Sequence, residues 1–189
     1  MKIFQQHCDV SRETFDKLIE YEEILLMWNK KINLIGSSTE DNVWIRHFLD
    51  SAQLKDFLLY CHGAVLDVGS GAGFPGVVLS ILGIKKVILL EKNFKKCTFL
   101  NYVISRLGLD CIVVNNRIED FDVEVEVIVS RAFADVEKTL NLTKDIKYKK
   151  MLLLKSKSVA SEFNSIDKIS YKTYNCIDLT NSVIVEITK

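Results

Sequence analysis

The chain has 189 residues, 48% of them hydrophobic, and its 25 basic and 25 acidic side chains balance to a formal net charge of zero. That is enough for one core with a modest appendage, and it excludes a global basic field, so any contact with nucleic acid has to come from local patches. Five scattered cysteines (Cys8, Cys61, Cys97, Cys111 and Cys176) form no C-x-x-C pair and leave one odd in any pairing, as expected of reduced thiols in the cytoplasm, with Cys97 and Cys111 in the core. The start, Met1-Lys2-Ile3-Phe4-Gln5-Gln6, lacks the apolar stretch of a cleavable signal, and no run of about 18 apolar residues marks a membrane span.

Residues 1–62 read as a helical N-terminal extension. Phe15, Leu18, Ile19, Leu25 and Leu26 recur at helical spacing up to Trp28-Asn29-Lys30-Lys31. A polar break at Gly36-Ser37-Ser38-Thr39 precedes a second helix, capped by Ser38 or Thr39, through Val43, Ile45, Phe48, Leu49, Ala52 and Leu54. From Ala64 the rhythm alternates. Strands are expected at 64–69, 86–91, 110–115, 125–130, 149–155, 169–176 and 182–188, with helices at 75–83, 94–107, 134–145 and 157–164. Four β–α units and two closing strands predict an α/β domain over 63–189, with a twisted, mostly parallel sheet covered by helices on both faces. The last two strands are joined by a turn near Asp178 and Asn181, which predicts one antiparallel edge. Seven strands in that plan are typical of class I S-adenosylmethionine (SAM) methyltransferases with a Rossmann-like fold, whereas dinucleotide folds keep six parallel strands.

The densest signal is Asp67-Val68-Gly69-Ser70-Gly71-Ala72-Gly73-Phe74-Pro75-Gly76, an apolar strand ending in a glycine turn with a proline suited to the first turn of a helix. Two cofactor classes compete for it. Gly71 to Gly76 matches the dinucleotide fingerprint G-x-G-x-x-G, while Asp67 to Gly73 matches the looser D-x-G-x-G-x-G of SAM methyltransferases. Pro75 removes a donor where a pyrophosphate would need one, and Asp67 suits a ligand carrying an ammonium and a sulfonium, so SAM is favoured over a nicotinamide dinucleotide.

Further candidates sit at strand ends. Glu91, about 20 residues past the glycine turn, can accept from ribose hydroxyls in either cofactor class. After it, Lys92-Asn93-Phe94-Lys95-Lys96 is a local basic cluster, with Lys95 and Lys96 offered as phosphate contacts. Ile118 and Glu119 follow the third strand, at the adenine end of such a site. Arg131 ends the fourth strand and needs a partner there. Arg46 and Asp50 lie at i,i+4, the spacing of an ordinary surface ion pair, with His47 beside them. Lys155 ends the fifth strand and points a cation at the same rim. With Pro75 as its single proline, the chain has no Asn/Asp-Pro-Pro-Tyr motif for an exocyclic amine and no Pro-Cys nucleophile for cytosine C5, and its cysteines and histidines form no zinc cluster. A target atom with a free lone pair, such as guanine N7, needs alignment but no general base.

Taken with their order and spacing, Trp28-Asn29-Lys30-Lys31-Ile32-Asn33-Leu34, Arg46-His47-Phe48-Leu49-Asp50-Ser51, Asp67 to Gly76 and Ser130-Arg131-Ala132-Phe133-Ala134 resemble the bacterial 16S rRNA guanine-N7 methyltransferase family RsmG (GidB), from about residue 13 onward. The resemblance implies SAM-dependent methylation of N7 of guanosine 527 in the 530 loop, with 16S RNA or the small ribosomal subunit as partner. It implies that Gly69, Phe74, Ile118, Glu119 and Arg131 line the cofactor site, to which the readings of the loop and strand ends add Asp67, Gly71, Gly73 and Glu91. By the resemblance Arg46, His47 and Asp50 lie by the substrate side and, with Arg131, are the catalytic candidates, while Arg46, Lys95, Lys96 and Lys155 are the RNA-binding candidates. A monomer is expected, since no heptad interface is apparent. The family usually has Lys-Gly after the fifth strand, where this chain has Lys155-Ser156, and its tail is often longer. A nicotinamide-dependent oxidoreductase and a non-catalytic RNA- or ribosome-binding module are the alternative readings.

Overall fold

The computed structural model describes residues 1–163, 166 and 169–188. Helices α1 (Lys2–His7) and α2 (Arg12–Asn29) are followed by a 3-10 segment Ser37–Asn42, a π-helical segment Trp44–Leu49, a short α3 (Asp50–Ala52) and a 3-10 turn Lys55–Leu58. Then come β1 (Val65–Val68), α4 (Gly76–Ile81), β2 (Val87–Leu90), α5 (Phe94–Leu107), β3 (Cys111–Val114), β4 (Val127–Arg131), α6 (Val136–Leu142), β5 (Lys150–Ser156), β6 (Tyr171–Asn175) and β7 (Ser182–Thr188). The sheet has seven strands in the order β3-β2-β1-β4-β5-β7-β6. β1 to β5 run parallel, and β7 is antiparallel to β5 and to β6, the latter as the short β6–β7 connection near Asp178 requires.

Local chemistry fixes the element ends. Ser11 caps α2 by accepting from Thr14 N–H, Asn93 caps α5 by accepting from Lys95 and Lys96 N–H, and Asp135 caps α6 by accepting from Lys138 N–H. Gly108, left-handed at φ 60°, ends α5. The expected second helix is not a regular α-helix. His47 to Ala52 are all buried, a density that one apolar stripe at α-helical spacing does not supply, and the chain meets it through a widened π turn. The expected helix at 157–164 is a 3-10 segment, Lys157–Phe163, with residue 164 outside the described residues.

Period-2 alternation divides the core. Leu66, Val68, Ile88, Leu90, Ile128, Met151 and Leu153 face α6. Val87 and Leu89 face the other way, where α4, α5 and the N-terminal helices share one apolar cluster built on Phe4, Leu18, Tyr21, Phe48, Phe74 and Phe99. Residues 1–62 therefore cover one face of the sheet with helices of the α/β region. Among the described residues no helix is long and apolar enough to cross a membrane.

Candidate functional site

The strand order reverses at β1, whose neighbours are β2 and β4, and a cavity of about 420 Å³ opens at the carboxyl ends of these strands. Open α/β sheets bind ligands at such a switch point. Gly69, Glu91, Asn116, Ile118, Glu119 and Phe133 are among its walls. Gly69 is left-handed at φ +70°, and a Cβ there would collide with the Phe133 ring. Glu91 is buried and latches the loops on either side, its Oε2 accepting from Gly71 N–H at 2.9 Å and its Oε1 from Asn93 N–H at 2.8 Å. Each oxygen keeps a second lone pair for a hydroxyl.

The glycine loop is held from beneath. Asp67 is fully buried, and its Oδ2 accepts from Gly76 N–H at 3.0 Å. Gly76 permits this approach, because a Cβ there would lie 2.7 Å from Asp67 Oδ2. Asp67 shares the face of Val65, so its carboxylate points toward α4 and lies outside the cavity wall. Burial pushes its carboxyl from 3.8 up to about 7. Gly71, Gly73 and Phe74 are also outside that wall. Gly71 acts through its bond to Glu91. A side chain on Gly73 would meet Val77 and the Tyr21 hydroxyl, so bulk there disturbs the loop's footing without entering the ligand space. Tyr21 donates to Ala72 C=O from below.

A second cavity of about 550 Å³ adjoins the first, and the two share Ala132, Phe133 and Ala134 as a common wall. Arg46, His47, Asp50, Arg131 and Lys155 line it. Arg131 has the strand parity of Val127 and Val129, which turns it toward the N-terminal helices. There its Nη1 donates to Arg46 C=O at 2.8 Å and approaches Asp50 Oδ2 at 3.6 Å, while its Nη2 donates to His47 Nδ1 at 2.7 Å. An arginine cannot accept, so His47 Nδ1 is the acceptor and its Nε2–H donates to Thr39 Oγ1 at 3.0 Å. Thr39 Oγ1 in turn donates to Gly36 C=O at 2.8 Å. His47 stacks on Phe74 at 4.8 Å, and the Arg131 guanidinium lies 4.8 Å from the same ring centroid. Burial, together with the Arg131 and Arg46 charges, pushes the imidazole down to about 3, so His47 is neutral with both nitrogens engaged. Burial also raises the Asp50 carboxyl, and Asp50 Oδ1 has no hydrogen-bond partner.

Other residues are placed differently from the sequence expectation. Arg46 and Asp50 do not form a surface pair: Arg46 Nη1 donates to Thr180 C=O at 3.0 Å, and Asp50 pairs with Arg131. Lys155 does not project from the rim, since its Nζ donates to Ala134 C=O and to Glu162 Oε2, bracing the common wall. Lys96 lines the first cavity, and Lys95 is exposed beside it. Sequence reasoning missed Thr39 as a partner of His47, together with Phe133, Tyr21 and Glu162. Asn29 turns out to organise the loop after α2, its Oδ1 accepting from Leu34 N–H at 2.8 Å and Ile35 N–H at 3.0 Å.

Comparison with known proteins agrees with this architecture. A solved magnesium protoporphyrin IX methyltransferase (ChlM) from Synechocystis PCC 6803 with bound SAM superposes with a TM-score of 0.66 at 10% identity, covering 96% of this chain and 99% of that one. A structure of MtNAS in complex with S-adenosylmethionine gives a TM-score of 0.61 at 14% identity over 93% of this chain and 76% of that one. These likenesses establish the fold. In sequence, the chain is 40% identical over 183 residues to a ribosomal RNA small subunit methyltransferase G from Orientia tsutsugamushi (strain Ikeda), covering 95% of this chain and 92% of that protein. It is 41% identical over 155 residues to the Rickettsia prowazekii (strain Madrid E) protein of the same name, covering 81% of each. The sequence model of GidB, the rRNA small subunit methyltransferase G family, matches residues 14–182. With the motifs, the switch-point cavity and the match all falling on the same residues, the chain belongs to the rRNA small subunit methyltransferase G (GidB) family.

Proposed function

We propose that the chain transfers a methyl group from S-adenosylmethionine to N7 of guanosine 527 in the 530 loop of 16S ribosomal RNA, with the cofactor in the first cavity and the target base in the second. The observation that carries this reading is that Ala132, Phe133 and Ala134 line both cavities, so that ligands seated in the two at the strand ends would meet along this shared edge. The first cavity suits SAM: Glu91 has lone pairs for ribose hydroxyls, Ile118 offers apolar surface for the base, and Gly69 leaves the backbone approachable. When bound, SAM supplies an electrophilic methyl group on a sulfonium.

That group would be received by the N7 lone pair, a target that calls for alignment and no deprotonation. A lone-pair target calls for no general base. His47 has its lone pair committed to Arg131. What the chain contributes is position. Arg131 is pinned at three points, Lys155 and Glu162 brace the wall at Ala134, and the Glu91 latch fixes the loops beneath the cofactor. Such orientation supplies catalysis through proximity alone.

The test is methyl transfer from labelled SAM to small subunits lacking the modification, and to naked 16S RNA, with the product nucleoside identified after digestion. Label in 7-methylguanosine is expected. Label in another nucleoside, or none while SAM still binds, overturns the reading.

A further inference from the structure

The basic cluster after β2 is only half of a larger surface. α2 runs antiparallel along α5: Glu20 pairs with Arg106 at 2.6 Å, and Trp28 packs on Phe99 and Tyr102 at centroid distances of 5.7 and 5.6 Å. Lys30 and Lys31 follow Trp28, where α2 ends, and so leave the helix pair on the side toward which α5 begins. Asn29 clamps the loop that carries them. Lys30, Lys31, Lys92 and Lys95 are all exposed, and among the described residues none of these four ammonium groups is in an ion pair. Phe94, at the head of α5, is 74% exposed, and its backbone is fixed by the Asn93 cap that the Glu91 latch holds. A single exposed phenylalanine needs no explanation. An exposed ring on a rigid backbone, flanked by the unpaired Lys92 and Lys95 with Lys30 and Lys31 on the same side of the α2–α5 pair, on a chain of zero net charge, is a composition matched to an unstacked base with phosphates on either side.

We propose that Phe94 is a stacking platform for an unpaired base of the RNA substrate, with Lys30, Lys31, Lys92 and Lys95 meeting the flanking phosphates. This rests on the reading that the substrate is ribosomal RNA. Lys92 and Lys96 also line the cofactor cavity, so the platform lies at its rim and holds RNA outside the two cavities. Aromatic stacking is tolerant of base identity and sensitive to loss of the ring, whereas lysine–phosphate contacts appear in the salt dependence.

The experiment compares wild type, Phe94→Ala, Phe94→Trp and the double variant Lys30→Ala/Lys31→Ala. It measures the affinity of each for an unmodified 16S RNA fragment carrying the 530 loop at several salt concentrations, together with SAM affinity and methyl transfer. Phe94→Ala is expected to weaken RNA binding about tenfold, and Phe94→Trp to restore it to within about twofold of wild type. The lysine double variant is expected to reduce the slope of log K against log salt by about 1.4, from two phosphate contacts. SAM affinity should be unchanged throughout. Wild-type RNA affinity in Phe94→Ala, failure of tryptophan to restore it, or an unchanged salt slope overturns the platform, and so does a loss of SAM affinity in Phe94→Ala. A wild-type protein that transfers no methyl group to either the RNA or the unmodified small subunit defeats the functional reading instead, so the two failures are separable.

Discussion

Asp67→Asn should change the pH dependence of stability in a defined direction. The Asp67 side chain is fully buried, its Oδ1 has no partner, and its Oδ2 holds the helix start at Gly76. Burial is the leading reason its carboxyl is pushed from 3.8 to about 7. The folded state therefore keeps this proton up to about pH 7, while the unfolded state releases it above about 4. The stability that protonated Asp67 contributes is whole below the unfolded pKa and is lost as pH rises through the folded one. A shift of roughly three units corresponds to about 4 kcal/mol. Asparagine carries no titrating proton, so the difference in unfolding free energy, variant minus wild type, should grow by about 4 kcal/mol between pH 4 and pH 8. Any change in the bond to Gly76 adds only a constant offset. Subtraction is essential, because His47, held down to about 3, has the opposite slope: its effect on stability is lost as pH falls from about 6.5. The two nearly cancel in the wild-type profile between pH 4 and 6.5. Urea denaturation of both proteins at several pH values checks this, and a difference that stays constant from pH 4 to 8 refutes the assignment of a proton to buried Asp67.

Gly69→Ala should weaken SAM binding at least about tenfold, since the Cβ meets the Phe133 ring at a left-handed position; unchanged affinity by calorimetric titration would move the cofactor away from this loop. Glu91→Gln loses one of two acceptor oxygens that hold Gly71 and Asn93, and should lower both SAM affinity and the melting temperature. His47→Phe keeps a ring against Phe74 but removes the acceptor for Arg131. It should cut turnover while leaving SAM affinity in place, and equal losses in both would put Arg131 on the cofactor side of the wall. Because wild-type His47 is already neutral above about pH 3, transfer by wild type and by His47→Phe at saturating RNA should have pH profiles of the same shape between pH 5 and 8.

The fold was legible because parallel strands buried on both faces read as continuous apolar runs, as Val87–Leu90 and Val127–Val129 do, with Val65–Val68 interrupted only by Asp67. The antiparallel edge followed from a connection too short for a crossover helix. The segment at 37–52 was not legible as it stands. Its apolar spacing fits an α-helix, and the π turn packs against α1, α2 and the Arg131 network, contacts that no local pattern encodes.

The lining of the two cavities was legible in part: Gly69, Glu91, Lys96, Ile118 and Glu119 fall on the first and Arg46, His47, Asp50, Arg131 and Lys155 on the second, whereas Asp67, Gly71, Gly73 and Phe74 fall on neither, and the directions of the side chains were not legible. Asp67 and Arg131 lie at the ends of adjacent strands, and both were assigned to the cofactor because ligands bind there. Alternation along their strands carries a finer signal: Asp67 pairs in parity with Val65, and Arg131 with Val127 and Val129, so both leave the sheet on the same face. What parity cannot say is what covers that face. Here it is the helical segment 1–62 and α4, which offer Asp67 only the Gly76 N–H but surround Arg131 with Arg46, His47, Asp50 and Phe74. Lys155, of the opposite parity, leaves on the α6 face and is claimed by Glu162. Three charged residues that look alike at strand ends thus become a buried proton holder, the anchor of the second cavity and a brace for the wall between the cavities, and the difference is set by which layer each one enters.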